Sequence, residues 1–161
     1  MLRKDKSVLF IDNSDSDFTG NDINSTKVRG TESSLILLAE SFVKKNINVK
    51  VLTEVKQDIV CNGVLYGNKH SSQDKYYDLC IAISNANLFR KISSKKKVVW
   101  SNSLQPFEKF LRKKQLFSFL KYKPEVVTMC NYQFRNRSYL TSMFGKHMIL
   151  YQWIQDFTQN P

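Results

Sequence analysis

The residues best placed to do chemistry form a short run, Lys27-Val28-Arg29-Gly30-Thr31-Glu32-Ser33-Ser34, immediately ahead of an apolar stretch. If a helix starts here, the N–H groups of Thr31 to Ser33 carry partial positive charge that suits a phosphate or a sugar hydroxyl. Gly30, lacking a side chain, lets a ligand come close to the backbone. The same residues also suit a plain helix cap, with Gly30 or Thr31 in that role, and residue type alone leaves both readings open. Neither G-x-G-x-x-G nor G-x-x-x-x-G-K-[ST] occurs in the chain, so dinucleotide-binding and P-loop readings lack their motif.

Four acids, Asp12, Asp15, Asp17 and Asp22, crowd the stretch before this run. They lack the ordered spacing, turn glycine and distal glutamate of a calcium loop, so a solvated loop is expected and no metal site. Ser84 and Asn85, Ser101 and Asn102, and Asn131 and Tyr132 each follow an apolar, strand-like run. In a parallel sheet such positions gather at the carboxyl edge, where hydroxyls and amides can bind sugar hydroxyls; ordinary turn chemistry also favours Ser and Asn there. The three cysteines, Cys61, Cys80 and Cys130, are far apart in sequence. Cys80 and Cys130 sit in or beside apolar runs, and free buried thiols in a reducing compartment are expected. With only His70 and His147 and no Cys-x-x-Cys, a zinc site is not expected.

Charge is unevenly spread. The net charge is +11, yet Arg90 to Pro124 alone holds eleven Lys or Arg against one acid, Glu108. Such a patch attracts phosphate-rich partners: an anionic membrane, a nucleic acid or an anionic substrate. Within it, Lys109, Arg112, Lys113, Lys114 and Lys121 alternate with Phe107, Phe110, Leu111, Phe117 and Leu120. Lysines beside exposed Phe and Leu suit the surface of an anionic membrane; lysines snorkelling from a core helix explain the same pattern. Nucleic-acid binding is the less favoured reading, since no helix-turn-helix, zinc-finger or RRM signature is present. No apolar run approaches a membrane span, and the apolar stretch near the start, Val8 to Ile11, is too short for a secretory signal. A cytoplasmic protein, peripheral on the inner face of the membrane if the patch binds lipid, is expected.

These residues must be held by elements, and the hydrophobic period predicts which. Strands are expected at Ser7–Ile11, Asn48–Thr53, Leu79–Ile83, Lys97–Trp100, Glu125–Met129 and His147–Tyr151, with a short strand or hairpin at Ile59–Tyr66 around Asn62-Gly63. Helices are expected at Thr31–Asn46, at a short stretch up to about Ile92, at Phe107–Tyr122 and at Arg135–Phe144. In the first of these, Ile36, Leu37 and Val43 widen the apolar face enough to predict a largely buried helix. In Phe107–Tyr122 the apolar residues fall on two faces, which predicts either a break near Gln115 or two buried sides. Strands alternating with helices imply βαβ crossovers: a doubly wound, mainly parallel α/β sheet with helices on both faces, as in a Rossmann-like domain. One domain over residues 1–151 followed by a linker or tail, 152–161, is expected.

The stretch RGTESSLILLAESFVKKNINVKVLT resembles the start of family-4-type GT-B glycosyltransferases, in which a Gly-Gly-[Ala/Thr]-Glu loop precedes an apolar helix, a basic pair and a strand. Further segments follow in the family's order: NGVLYGN, YDLCIAISN, KKVVWSN, EVVTMCNYQFRNRSYL and KHMILYQWIQDF. The resemblance spans nearly the whole chain. It implies the N-terminal, acceptor-side domain of a GT-B fold. The implied activity is metal-independent, retaining transfer of a sugar from a nucleotide sugar to an acceptor hydroxyl on a glycan or a lipid-linked molecule. It also implies a donor-binding C-terminal half, as a further domain or a separate subunit, without which activity is expected to be weak or absent. Substrate contacts are expected at Arg29, Gly30 and Thr31 and at Ser84, Asn85, Ser101, Asn102, Asn131 and Tyr132, while no catalytic residue is assigned. Arg29 stands where the family has its first glycine, no histidine occurs at Ile83-Ser84-Asn85, and the closing segment lacks the usual Asn-Gly. A non-catalytic binding module of the same fold is the alternative reading.

Overall fold

In the computed structural model, residues 6–71, 75–101, 114–130, 135 and 146–159 are described. Eight strands run in chain order: β1 (Ser7–Ile11), β2 (Asn48–Thr53), β3 (Ile59–Cys61), β4 (Val64–Asn68), β5 (Tyr77–Ile83), β6 (Ser94–Ser101), β7 (Glu125–Thr128) and β8 (His147–Ile149). Three α-helices are described among these residues: α1 (Gly30–Val43), α2 (Leu116–Tyr122) and α3 (Leu150–Gln159). The strands are hydrogen-bonded in the order β3-β4-β2-β1-β5-β6-β7-β8. Pairing is parallel for β1 with β2, β2 with β4, β6 with β7 and β7 with β8, and antiparallel for β3 with β4. The protein is thus α/β with an eight-stranded, mostly parallel sheet. Apart from the hairpin strand β3, the order is compatible with a Rossmann-like fold. Compact packing divides the chain into two units, Met1–Cys80 with Lys91–Lys95, and Ile81–Arg90 with Lys96–Pro161.

The first unit is built on β1. Its last four residues, Val8 to Ile11, are all buried, the continuous apolar run expected of a strand covered on both faces. Phe10 stacks on Phe42 of α1 with ring centroids 5.9 Å apart. At the amino end, the Asp78 carboxylate accepts the Ser7 N–H (2.8 Å) and hydroxyl (2.9 Å), and the Ser7 hydroxyl accepts the Asp78 N–H. Asn62 and Gly63, with φ of 50° and 79° respectively, both lie in the left-handed region, which makes the tight hairpin from β3 to β4. A side chain at Gly63 would meet Val43 Cγ1 at 2.7 Å, so glycine is required there twice over. α1 starts one residue ahead of its expected start and ends at Val43. It buries Leu35, Ile36, Leu38, Ala39 and Phe42, so Ile36 of the widened face is buried as expected, while Leu37 is 58% exposed.

In the second unit β6 and β7 are buried along Val98–Trp100 and Val126–Val127. Within the described part of the expected helix Phe107–Tyr122, Lys114 takes a left-handed φ of 51°, and α2 begins after Gln115. Pro124 follows α2, whose C-cap Lys123 is left-handed at φ 43°. The earlier part of that helix, and Arg135–Phe144 beyond Arg135, lie outside the described residues. The segment read as a tail is α3. Trp153 is buried, donates its indole N–H to Glu125 Oε2 (2.9 Å) and stacks on Phe157. Lys96 binds the same Glu125 oxygen at 2.9 Å, which places that carboxylate between strand and helix. Cys61 and Cys80 are buried thiols outside any disulfide; the Cys130 thiol is exposed, because it lies past the end of β7.

Candidate functional site

In the first unit the carboxyl ends of β1, β2 and β4 carry a polar group of side chains. β1 ends at Ile11, and the Asp12 N–H continues the ladder to Leu52 O (3.0 Å). The buried Asp12 carboxylate accepts the Ser14 N–H (2.9 Å) and the Ser14 hydroxyl, an Asx turn that bends the chain out of the sheet. Burial pushes the Asp12 carboxyl above its ordinary value; the two Ser14 bonds oppose this, Glu32 adds to it and Lys69 opposes it. The loop acids therefore have separate tasks. Asp22 caps a short 3-10 turn at Gly20–Asp22 by accepting the Thr19 N–H and hydroxyl, and Asp15 faces Lys69 at 3.6 Å. Among the described residues, no group of three or more His, Cys, Asp or Glu is arranged to hold a metal ion.

α1 rises from the same edge. Arg29 is its extended N-cap, and its N–H is accepted by the buried Glu32 carboxylate. That is half of a capping box; the other half is absent in chemical terms because an arginine side chain has no acceptor. The first intrahelical bond runs from Ser33 N–H to Arg29 O (2.9 Å). Arg29 and Gly30 are exposed and Thr31 is half-buried. Gly30 occupies the first helical position without a left-handed φ, and a Cβ added there meets nothing within 4 Å. Neither backbone conformation nor packing within the protein requires glycine at this position.

A second constellation on this edge was not legible in the sequence, where Asn68 to Lys75 reads as polar loop. Glu54 directly follows β2, and Lys69 directly follows β4. The β2–β4 register pairs Thr53 with Asn68 and so brings Glu54 and Lys69 together. Lys69 Nζ, on a side chain only 11% exposed, lies 2.6 Å from Glu54 Oε1 and donates to Ser14 O at 2.6 Å. The Lys69 hydrogen bond holds the Glu54 carboxyl below its ordinary value, and the His70 bond acts in the same direction. His70 Nε2 sits 3.1 and 3.2 Å from the two Glu54 oxygens, and the His70 side chain is 71% exposed. A carboxylate held ionised between a buried ammonium and an exposed imidazole is equipped to hold a polar ligand.

The second unit holds the other expected contacts. Ser84 directly follows β5 in a left-handed conformation, φ 55°, and its N–H donates to Trp100 O (2.9 Å). The buried Gln115 clamps this turn: its amide donates to Ser84 O (3.3 Å), and its oxygen accepts the Ala86 N–H (3.1 Å). Asn85 Oδ1 accepts the Asn87 N–H (3.0 Å), which caps the 3-10 helix Ala86–Lys91. That bond is turn chemistry. Ser101, the last residue of β6, is buried. Thr128, the last residue of β7, is buried with a hydroxyl that has no hydrogen-bond partner. Asn102, Asn131, Tyr132, Lys109, Arg112 and Lys113 lie outside the described residues, whereas Lys114 and Lys121 are described and exposed. No residue pattern marked Gln115 or Thr128 in advance, since each acts only through neighbours about thirty positions away or through burial. Comparison of the chain with known protein families, with curated proteins and with solved structures finds no match.

Proposed function

We propose that this chain is the acceptor-side, Rossmann-like part of a GT-B glycosyltransferase, which helps transfer a sugar from a nucleotide sugar to an acceptor hydroxyl. The observation that carries the reading is Gly30: exposed, at the first position of α1, with open space where a side chain would stand and no conformational need for glycine. A ligand seated against the backbone explains that choice of residue. The strand order is compatible with such a domain, and in open α/β sheets ligands lie beyond the carboxyl ends of the strands.

In this reading the acceptor hydroxyl oxygen forms a bond to the anomeric carbon while the bond from that carbon to the nucleotide diphosphate breaks, and the hydroxyl proton passes to the departing diphosphate oxygen. The electron pair leaves with the diphosphate, and its growing charge is met by the first-turn N–H groups of α1 and by Arg29. Glu32 holds the approach to the helix in place through Arg29 N–H. A donor-binding half supplies the remaining contacts to the diphosphate. No resident cofactor is invoked; the nucleotide sugar is a substrate.

The test is an NMR titration of the isotope-labelled protein with UDP-glucose, GDP-mannose and the free nucleoside diphosphates. Amide shifts concentrated at Arg29–Glu32 and Asp12–Ser14 are expected. Shifts confined to other parts of the chain, or none with any of these ligands, would remove the basis for the proposal.

A further inference from the structure

The second unit carries an outward face that the proposed sugar transfer does not use. α2 packs inward through Ser118 and Phe119, which are buried, and Ser118 donates its hydroxyl to Asn87 Oδ1 at 2.6 Å. Tyr122 meets Phe89 edge to face, with centroids 6.0 Å apart. These contacts fix the roll of the helix. Phe117 and Leu120, three residues apart and therefore on one face, are left 68% and 51% exposed. Lys114, Lys121 and Lys123 flank them in sequence and are all exposed, and the stretch from Lys114 to Pro124 contains no acid. Lys121 Nζ lies 5.3 Å from the Tyr122 ring centroid.

We propose that this face of α2 docks on the surface of an anionic lipid bilayer, with Phe117 and Leu120 entering the headgroup region and the three lysines paired with lipid phosphates. Charge complementarity selects an anionic partner, and the apolar pair selects among anionic partners. Nucleic acid would use a run of stacking aromatics and arginine forks; the described face instead offers one aromatic, Phe117, beside the aliphatic Leu120, and its cations are all lysines. The bilayer accepts an aliphatic side chain and diffuse charge together. Among the described residues no helix is long and apolar enough to cross a membrane, so the mode is attachment to the surface.

The test is co-sedimentation of the whole chain with vesicles of phosphatidylcholine alone and of phosphatidylcholine with about one-third phosphatidylglycerol, at low and high salt. Binding to the anionic vesicles only is expected. The charge reversals Lys114→Glu, Lys121→Glu and Lys123→Glu should weaken it about fivefold each at low salt. The double variant Phe117→Ser, Leu120→Ser should weaken it about tenfold or more, and this loss should persist at high salt because insertion is not screened. All five positions are exposed, and unchanged circular dichroism would show that each variant folds. No binding by the wild type to anionic vesicles, binding indifferent to both sets of variants, or tighter binding to duplex DNA that the same lysine reversals abolish, would overturn the proposal.

Discussion

Replacing Gly30 by Ala separates what the fold needs at the start of α1 from what a ligand needs. The added Cβ meets no atom within 4 Å and the backbone there is not left-handed. The substitution therefore removes freedom from the unfolded chain without strain in the folded one, a gain of about 0.4–1 kcal/mol. For a chain of this size that corresponds to a rise in melting temperature of about 1–4 °C, readable by circular dichroism or calorimetry. Ligand binding should move the other way. A methyl group standing where a phosphate or sugar approaches the backbone costs about tenfold or more in affinity, equivalent to about 1.4 kcal/mol. Gly30→Leu should deepen the loss of binding and still melt no lower than wild type. Isothermal titration with UDP-glucose and GDP-mannose, run beside the melting curves, reads both effects. A variant that is stabilised but binds as the wild type does would refute a ligand at Gly30. A variant that is destabilised would refute the account of the helix start.

The cluster on the adjacent strand ends makes further predictions. Lys69→Met leaves Glu54 and Ser14 O without their ammonium, and with Glu54 partly exposed the cost should be about 2 kcal/mol in urea unfolding; a loss below about 0.5 kcal/mol would mean the pair contributes as an ordinary surface ion pair. Because the folded protein holds the Glu54 carboxyl below its usual value of 4.5, its stabilisation is complete above that pH and is lost as pH falls through the lower, folded value. Glu54→Gln should accordingly show a flatter loss of stability below pH 4.5 than wild type, and parallel acid profiles would contradict this. Gln115→Leu strands Ser84 O and the Ala86 N–H and should cost about 2 kcal/mol in thermal unfolding; a neutral effect would show the turn stands without its clamp. Thr128→Val removes a buried hydroxyl without a partner and should be neutral or stabilising by about 1 kcal/mol. A clear destabilisation would reveal a bond that the hydroxyl makes.

Much of the framework was legible because it rests on neighbours in the chain. Alternating apolar runs placed β1 and β2 to the residue, Asn62-Gly63 marked the hairpin, and α1 began one position ahead of its expected start. These features follow from backbone sterics and local side-chain period, which act over a few residues. Burial was less legible. Leu37 is apolar but lies on the outer side of α1, and Cys130 follows an apolar run but stands past its end. The segment after Tyr151 reads as polar tail, yet it is helical and holds Trp153 against Glu125, a partner 28 residues earlier. The candidate site divides in the same way. Gly30 and its flanking residues stood out by type and order, because one loop supplies them. Lys69, Glu54 and His70 did not, since only the β2–β4 register sets Glu54 beside Lys69 and only burial turns an ordinary lysine and glutamate into a fixed pair. Register is decided by which strands pair, and pairing is a property of the whole sheet that no window of sequence contains.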